Sequence, residues 1–117
     1  MRYQTYKSLL DVWGLEYLDR RKPMLFVTEG IFGAVRFLNA GYNAIAILTN
    51  NPVHHFDWLS CLPYKVVHIL DGDEAGRYCL KPALYRRVSN FIALPDGVQL
   101  DQMTETEIVN LTIIGKL

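Results

Sequence analysis

Apolar runs alternate along this chain with segments of helical spacing, and that alternation predicts an α/β fold built on a parallel sheet. The runs are Met24–Thr28, Ala44–Leu48, Val66–Leu70 and Phe91–Leu94. The first is apolar without alternation, as expected of a strand covered on both faces. Two of the runs end abruptly in acid. Met24–Thr28 leads into Glu29-Gly30, and Val66–Leu70 leads into Asp71-Gly72-Asp73-Glu74-Ala75-Gly76-Arg77.

The elements follow in order. Tyr6, Leu9, Leu10, Trp13 and Tyr17 have helical spacing, so a helix is predicted from about Tyr6 to Tyr17, with Gly14 its weak point. Arg20-Arg21-Lys22-Pro23 ends it. After Gly30, the residues Ile31, Ala34, Val35 and Leu38 repeat as one helix face, and Gly41 is a natural C-terminal stop. Past the second strand, Asn50 or Asn51 can cap a helix with Pro52 in its first turn, carrying Val53, Phe56 and Leu59 and ending before Pro63. A further helix starts near Glu74, breaks around Leu80-Lys81 and restarts at Pro82 toward Val88. Pro95-Asp96-Gly97 is a turn. Thr104 and Glu107 have capping-box spacing for a last helix through about Ile113.

With right-handed crossovers, ligands bind beyond the C-terminal strand ends, where strand order reverses. For the two acidic junctions to meet, the first and third strands must be neighbours. The expectation is therefore a four-stranded parallel sheet in the order 2-1-3-4, flanked by helices. Residues 1–22 are expected to be an N-terminal helical extension and 23–117 the α/β domain.

The chain has 117 residues, half of them apolar, which suits one globular domain. Lys and Arg balance Asp and Glu, for a net charge of zero. A protein that held nucleic acid by charge alone would be basic, so any such binding must use a metal, local basic clusters or a partner. Cys61 and Cys79 form no CxxC pair, so a zinc knuckle is not supported. With no signal peptide and no apolar run of membrane-spanning length, the chain reads as cytoplasmic, with no membrane partner.

The acidic junctions carry the chemistry. Asp71 and Asp73 flank a glycine, so a tight turn can aim both carboxylates at one ion, with Glu29 entering from the adjacent strand. Carboxylate oxygens suit Mg²⁺ or Mn²⁺ and leave positions for water and phosphate oxygens. Arg77, one turn into the next helix, can reach a phosphate.

Glu29-Gly30 followed by Asp71-x-Asp73, extended as DGDEAGR, resembles the TOPRIM domain shared by bacterial and phage primases, type IA and type II topoisomerases and certain nucleases. The likeness is greatest to the primase branch. It includes the glycine-stopped helix end Asn39-Ala40-Gly41-Tyr42 and the turn Leu94-Pro95-Asp96-Gly97, and it covers roughly Pro23 to Asp101. The resemblance implies a TOPRIM-type, Rossmann-like domain in which Glu29, Asp71 and Asp73 bind metal, with Glu29 also an acid–base group. It implies nucleotidyl transfer on nucleic acid or nucleotides, with replication proteins such as a helicase or a zinc-module protein as partners. Three departures stand out, one being Thr49-Asn50 where primases often have Gly-Thr after the second strand. Primases usually place Asp three residues after the glycine of EG, where this chain has Gly33. The lysine and Asp-Pro usual after LPxG are replaced by Val98-Gln99-Leu100-Asp101.

The alternatives are a small nuclease using the same carboxylates, or a non-catalytic module docking on a replication partner. Arg86-Arg87 and Arg20-Arg21-Lys22 can contact a nucleic-acid backbone, although such clusters are more often simply solvated. Adjacent residues on a helix point apart, so His54-His55 reads as surface. Trp13 and Trp58 read as core.

Overall fold

The computed structural model describes residues 12–48, 58–59, 61–70, 90–95 and 97–116. The sheet has five strands: β1 (Val12–Trp13), β2 (Met24–Thr28), β3 (Asn43–Ile47), β4 (Lys65–Leu70) and β5 (Asn90–Ala93), in the order β1-β3-β2-β4-β5. The helices α1 (Ile31–Asn39) and α2 (Glu105–Lys116) are described with it, together with short 3-10 turns at Leu15–Tyr17 and Leu100–Gln102 and a helical pair at residues 58–59. The rest of the helix predicted after Asn50 up to Pro63 and the one predicted from Glu74 toward Val88 lie largely outside the described residues. None of the described helices is long and apolar enough to cross a membrane.

β2 lies between two parallel neighbours. Phe26 pairs with Ala44 of β3 on one side and with Val67 of β4 on the other, and Ile69 of β4 pairs with Ile92 of β5. The expected four-stranded, all-parallel sheet is corrected at one edge. β1 joins β3 antiparallel, Val12 opposite Ile47 and Trp13 opposite Ala46, so the sheet is mixed and its full order differs from the four-strand expectation.

That edge strand also corrects the helix predicted across Tyr6–Tyr17, insofar as the segment is described. Gly14 is left-handed at φ 100°, which no continuous α-helix allows. Its backbone lies against β3, where an added Cβ would stand 3.4 Å from the Ala44 carbonyl oxygen. The apolar spacing of Trp13 and Tyr17 is real but serves a different contact: their rings pack across the turn at 5.6 Å. β3 begins at Asn43, one residue before the predicted start. Asn43 is buried, and its Oδ1 accepts from the Asp19 N–H at 2.8 Å. Its Nδ2 donates to the carbonyls of Asp19 at 2.9 Å and Lys22 at 3.3 Å. A buried amide satisfied in this way ties the entry of β2 to the start of β3.

The core divides by strand parity. Met24, Phe26, Ala44, Ala46, Val67 and Ile69 face α1 and α2, meeting Ala34 and Phe37 of α1 and Ile108 and Leu111 of α2. Phe26 and Phe37 stack at 4.4 Å, and Tyr42 meets Phe26 edge-on at 5.9 Å. On the opposite face, Leu25, Val27, Ile45, Ile47 and Val66 pack with Leu59, and Trp58, Leu62 and Tyr64 lie against them. Both faces are covered, which is why β2 and β3 read as continuous apolar runs. Gly41 stops α1 at φ 91°, as its position predicts. α2 opens on a reciprocal capping box: the Glu107 N–H donates to Thr104 Oγ1 at 3.2 Å, and the Thr104 N–H donates to Glu107 Oε1 at 3.1 Å. Hydrogen bonds from Thr104 to the Glu107 carboxyl, the backbone one first, hold it below its ordinary pKa.

His68 is the buried titratable group of β4. It shares the strand parity of Val66, and burial pushes its pKa down to about 4. The unfolded chain therefore takes up this proton first as pH falls below the ordinary histidine value of 6.5. Stability is fully present above that value and is lost between it and the folded pKa. Chemical denaturation is expected to show a loss of about 2 kcal/mol between about pH 7 and pH 5. His68→Leu should flatten that slope.

Candidate cleft at the end of the second strand

The strand-to-helix turn after β2 is built by its own residues. Thr28, at the buried end of the strand, donates from Oγ1 to the Gly30 carbonyl at 2.9 Å. Gly30 is the N-cap of α1 in an extended conformation, and its carbonyl accepts from the Ala34 N–H at 3.2 Å. Glu29 sits within this turn, half-buried. β4 runs parallel to β2 and beside it, so both strands end at the same edge of the sheet. Glu29 follows β2 at that edge, and Asp71 follows Leu70 in the sequence. Asp71, Asp73, Arg77, Arg86 and Arg87 lie outside the described residues, as do His54, His55 and Cys79. Among the described residues, no group of three or more His, Cys, Asp or Glu side chains could hold a metal ion.

Glu29 lines a cleft of about 140 Å³. Gly30, Phe32 and Gly33 form one wall with it, and Gln99, Leu100 and Asp101 form the other. The second wall is carried by the turn after β5, in which Gly97 takes φ 78° and the Val98 N–H donates to the Pro95 carbonyl at 3.0 Å. It is fastened to α1 in two ways. Arg36 Nη2 donates to the Asp101 carbonyl at 2.9 Å. Leu100, buried in the core, fills the space over Gly33, where an added Cβ would stand 2.7 Å from its Cδ2.

Of the three departures noted in the sequence, Thr49-Asn50 lies outside the described residues, while the other two, Gly33 and the Val98–Asp101 segment, meet in space. Each looks like an isolated change in one dimension, yet the missing side chain at 33 makes room for the side chain at 100. Phe32, Arg36, Gln99, Leu100 and Asp101 carry no motif of their own, and the paired departures are the one sequence signal that pointed to this wall.

The basic cluster before β2 is partly engaged. Arg21 Nε and Nη2 each donate to the Asp19 carboxylate at 3.1 Å, and this contact holds the Asp19 pKa at about 2. The pair is exposed, so it adds little stability, but it occupies Arg21. Trp13 and Trp58 pack against the core as expected, and Cys61 is exposed.

No protein-family model matches this sequence, and no curated protein is similar to it above threshold. Two solved structures are similar in fold. One is a DNA primase domain from Pseudomonas aeruginosa, at TM-score 0.63 and 24% identity over 82% of this chain. The other is the DnaG catalytic core, at TM-score 0.58 and 26% identity over 81% of this chain. The chain spans about a third of the length of each, 33% and 36% respectively.

The contact between Gly33 and Leu100 can be tested by stability. Gly33→Ala gains about 1 kcal/mol of helix propensity but forces Leu100 aside, a change that costs about 1–3 kcal/mol in a packed core. Urea unfolding should show a net loss for Gly33→Ala and a larger one for Gly33→Asp, which also buries a carboxylate. In a Leu100→Ala background, Gly33→Ala should no longer be costly.

Proposed function

We propose that this chain is a TOPRIM-type, metal-dependent module of a DNA primase or primase-like replication protein that carries out nucleotidyl transfer. The observation that carries the reading is the parallel pairing of β2 with β4, which end side by side; in the sequence Glu29 follows the first and Asp71-Gly72-Asp73 follows the second. The fold likeness to the DnaG catalytic core supports it.

In this reading Glu29, Asp71 and Asp73 hold Mg²⁺ or Mn²⁺, for which a set of carboxylate oxygens is chemically fit. The bound ion supplies stabilisation of charge developing on the transferred phosphoryl group. Arg77, in the helix the sequence predicts after the acidic turn, binds a phosphate oxygen, and Arg86 and Arg87 track the nucleic-acid backbone. The Glu29 carboxylate, at the edge of the sheet, takes the proton from the attacking hydroxyl. The partners are nucleic acid and nucleotides, together with replication proteins such as a helicase or a zinc-module protein.

Thermal melts with Mn²⁺ test the metal site. At tenfold over the dissociation constant, mass action stabilises the fold by about 1.4 kcal/mol, a rise of roughly 5 °C in Tm. The Asp71→Asn/Asp73→Asn double variant should stay folded and lose that rise. An unchanged melt for the native protein at millimolar Mn²⁺ would sink the metal site.

Activity is expected to be weak in the isolated chain. Net charge is zero, and carboxylates repel a phosphate backbone until metal binds. Primer-synthesis assays should give negligible product with Mg²⁺ and at most slow product with Mn²⁺, because positioning supplies much of the rate in phosphoryl transfer. Robust template-directed synthesis by this chain would overturn the expectation, and strand cleavage without synthesis would assign hydrolysis instead.

A further inference from the structure

Phe32 is the outlier among the phenylalanines of α1. Phe37 is fully buried against the sheet, whereas Phe32 keeps 74% of its surface exposed. Scattered exposed apolar residues are ordinary, so exposure alone decides nothing. Location decides here, because Phe32 lines the cleft that also contains Glu29.

The chemistry of that cleft selects its occupant. A volume of about 140 Å³ is well under the roughly 300–1,000 Å³ of sites that enclose a whole small-molecule ligand, so it has room for one ring-sized group. Glu29 and Asp101 both line the cleft, and two carboxylates disfavour a bare phosphate there. A neutral ring meets no such repulsion. The Gln99 amide on the far wall carries both donors and an acceptor, which can meet the polar edge of a heteroaromatic ring. An exposed phenyl face at the mouth of such a slot is a stacking surface that discriminates little among bases.

The geometry points to Phe32 as a stacking platform for a nucleobase of single-stranded nucleic acid, with the base entering between α1 and the Gln99–Asp101 turn and the backbone left outside, toward the sheet edge. This inference rests on the proposed function, since it takes a bound strand as its premise. It goes beyond that function in assigning a binding role to a residue that neither the acidic pattern nor the basic clusters include.

The test is fluorescence anisotropy of a labelled oligo(dT) strand with the full chain, at low ionic strength with Mn²⁺. Thermal melts of each variant confirm folding, which a residue this exposed should not disturb. Phe32→Ala and Phe32→Leu should each weaken binding about tenfold, within the range measured for loss of one stacked base. Phe32→Tyr and Phe32→Trp should bind as the native chain does. An oligonucleotide abasic throughout should bind equally to the native chain and to Phe32→Ala. Native affinity in Phe32→Ala, or in Phe32→Leu, would overturn stacking while leaving the metal-dependent reading intact. Absence of any Mn²⁺-dependent binding by the native chain would overturn both.

Discussion

β2 is hydrogen-bonded along both edges by parallel partners, β3 and β4, and the rest of the molecule is arranged around that constraint. A central parallel strand cannot be reached by a tight hairpin, so each neighbour must arrive by a crossover that covers a face of the sheet. Coverage on both faces explains why Leu25, Phe26 and Val27 are all buried although they point alternately to opposite sides. The same pairing dictates where the chain leaves the sheet. β2 and β4 run parallel and end side by side at one edge of the sheet.

What surrounds Glu29 depends on a different kind of fit. Thr28 and Gly30 shape the turn into α1 locally, through the Thr28 hydroxyl on the Gly30 carbonyl. The facing wall arrives from the far end of the chain and is held by a side chain occupying the volume that residue 33 leaves empty, and by Arg36 on the Asp101 carbonyl. Packing of this kind is unforgiving at the scale of a methyl group, because protein interiors have few voids to absorb one. The cleft is thus a by-product of core packing on its inner side and an open, chemically mixed surface on its outer side.

The start of the described chain shows how one buried polar group can organise a segment. Asn43 bonds to Asp19 on both its backbone N–H and carbonyl, and to the Lys22 carbonyl. These bonds bring the residues before β2 back across the start of β3, while β1 lines the outer edge of that strand. An exposed strand edge invites pairing with other chains, and the short antiparallel β1 covers part of it.

Local pattern was sufficient for features whose cause is short-range. The apolar runs of β2 to β5, the stop at Gly41, the turn at Pro95–Gly97 and the reciprocal box of Thr104 and Glu107 all depend on residues a few positions apart, so the sequence by itself determined them. It also determined that acid follows two of the apolar strands. Tertiary structure decided the rest, because the deciding contacts join distant residues. A helical spacing around Trp13 and Tyr17 cannot report that the open edge of β3 will claim Val12 and Trp13 instead. The burial of Asn43 depends on where Asp19 and Lys22 come to lie. The absence of a side chain at Gly33 gains its meaning only when Leu100 packs into the space, and the exposure of Phe32 beside Glu29 follows from which face of α1 the sheet covers.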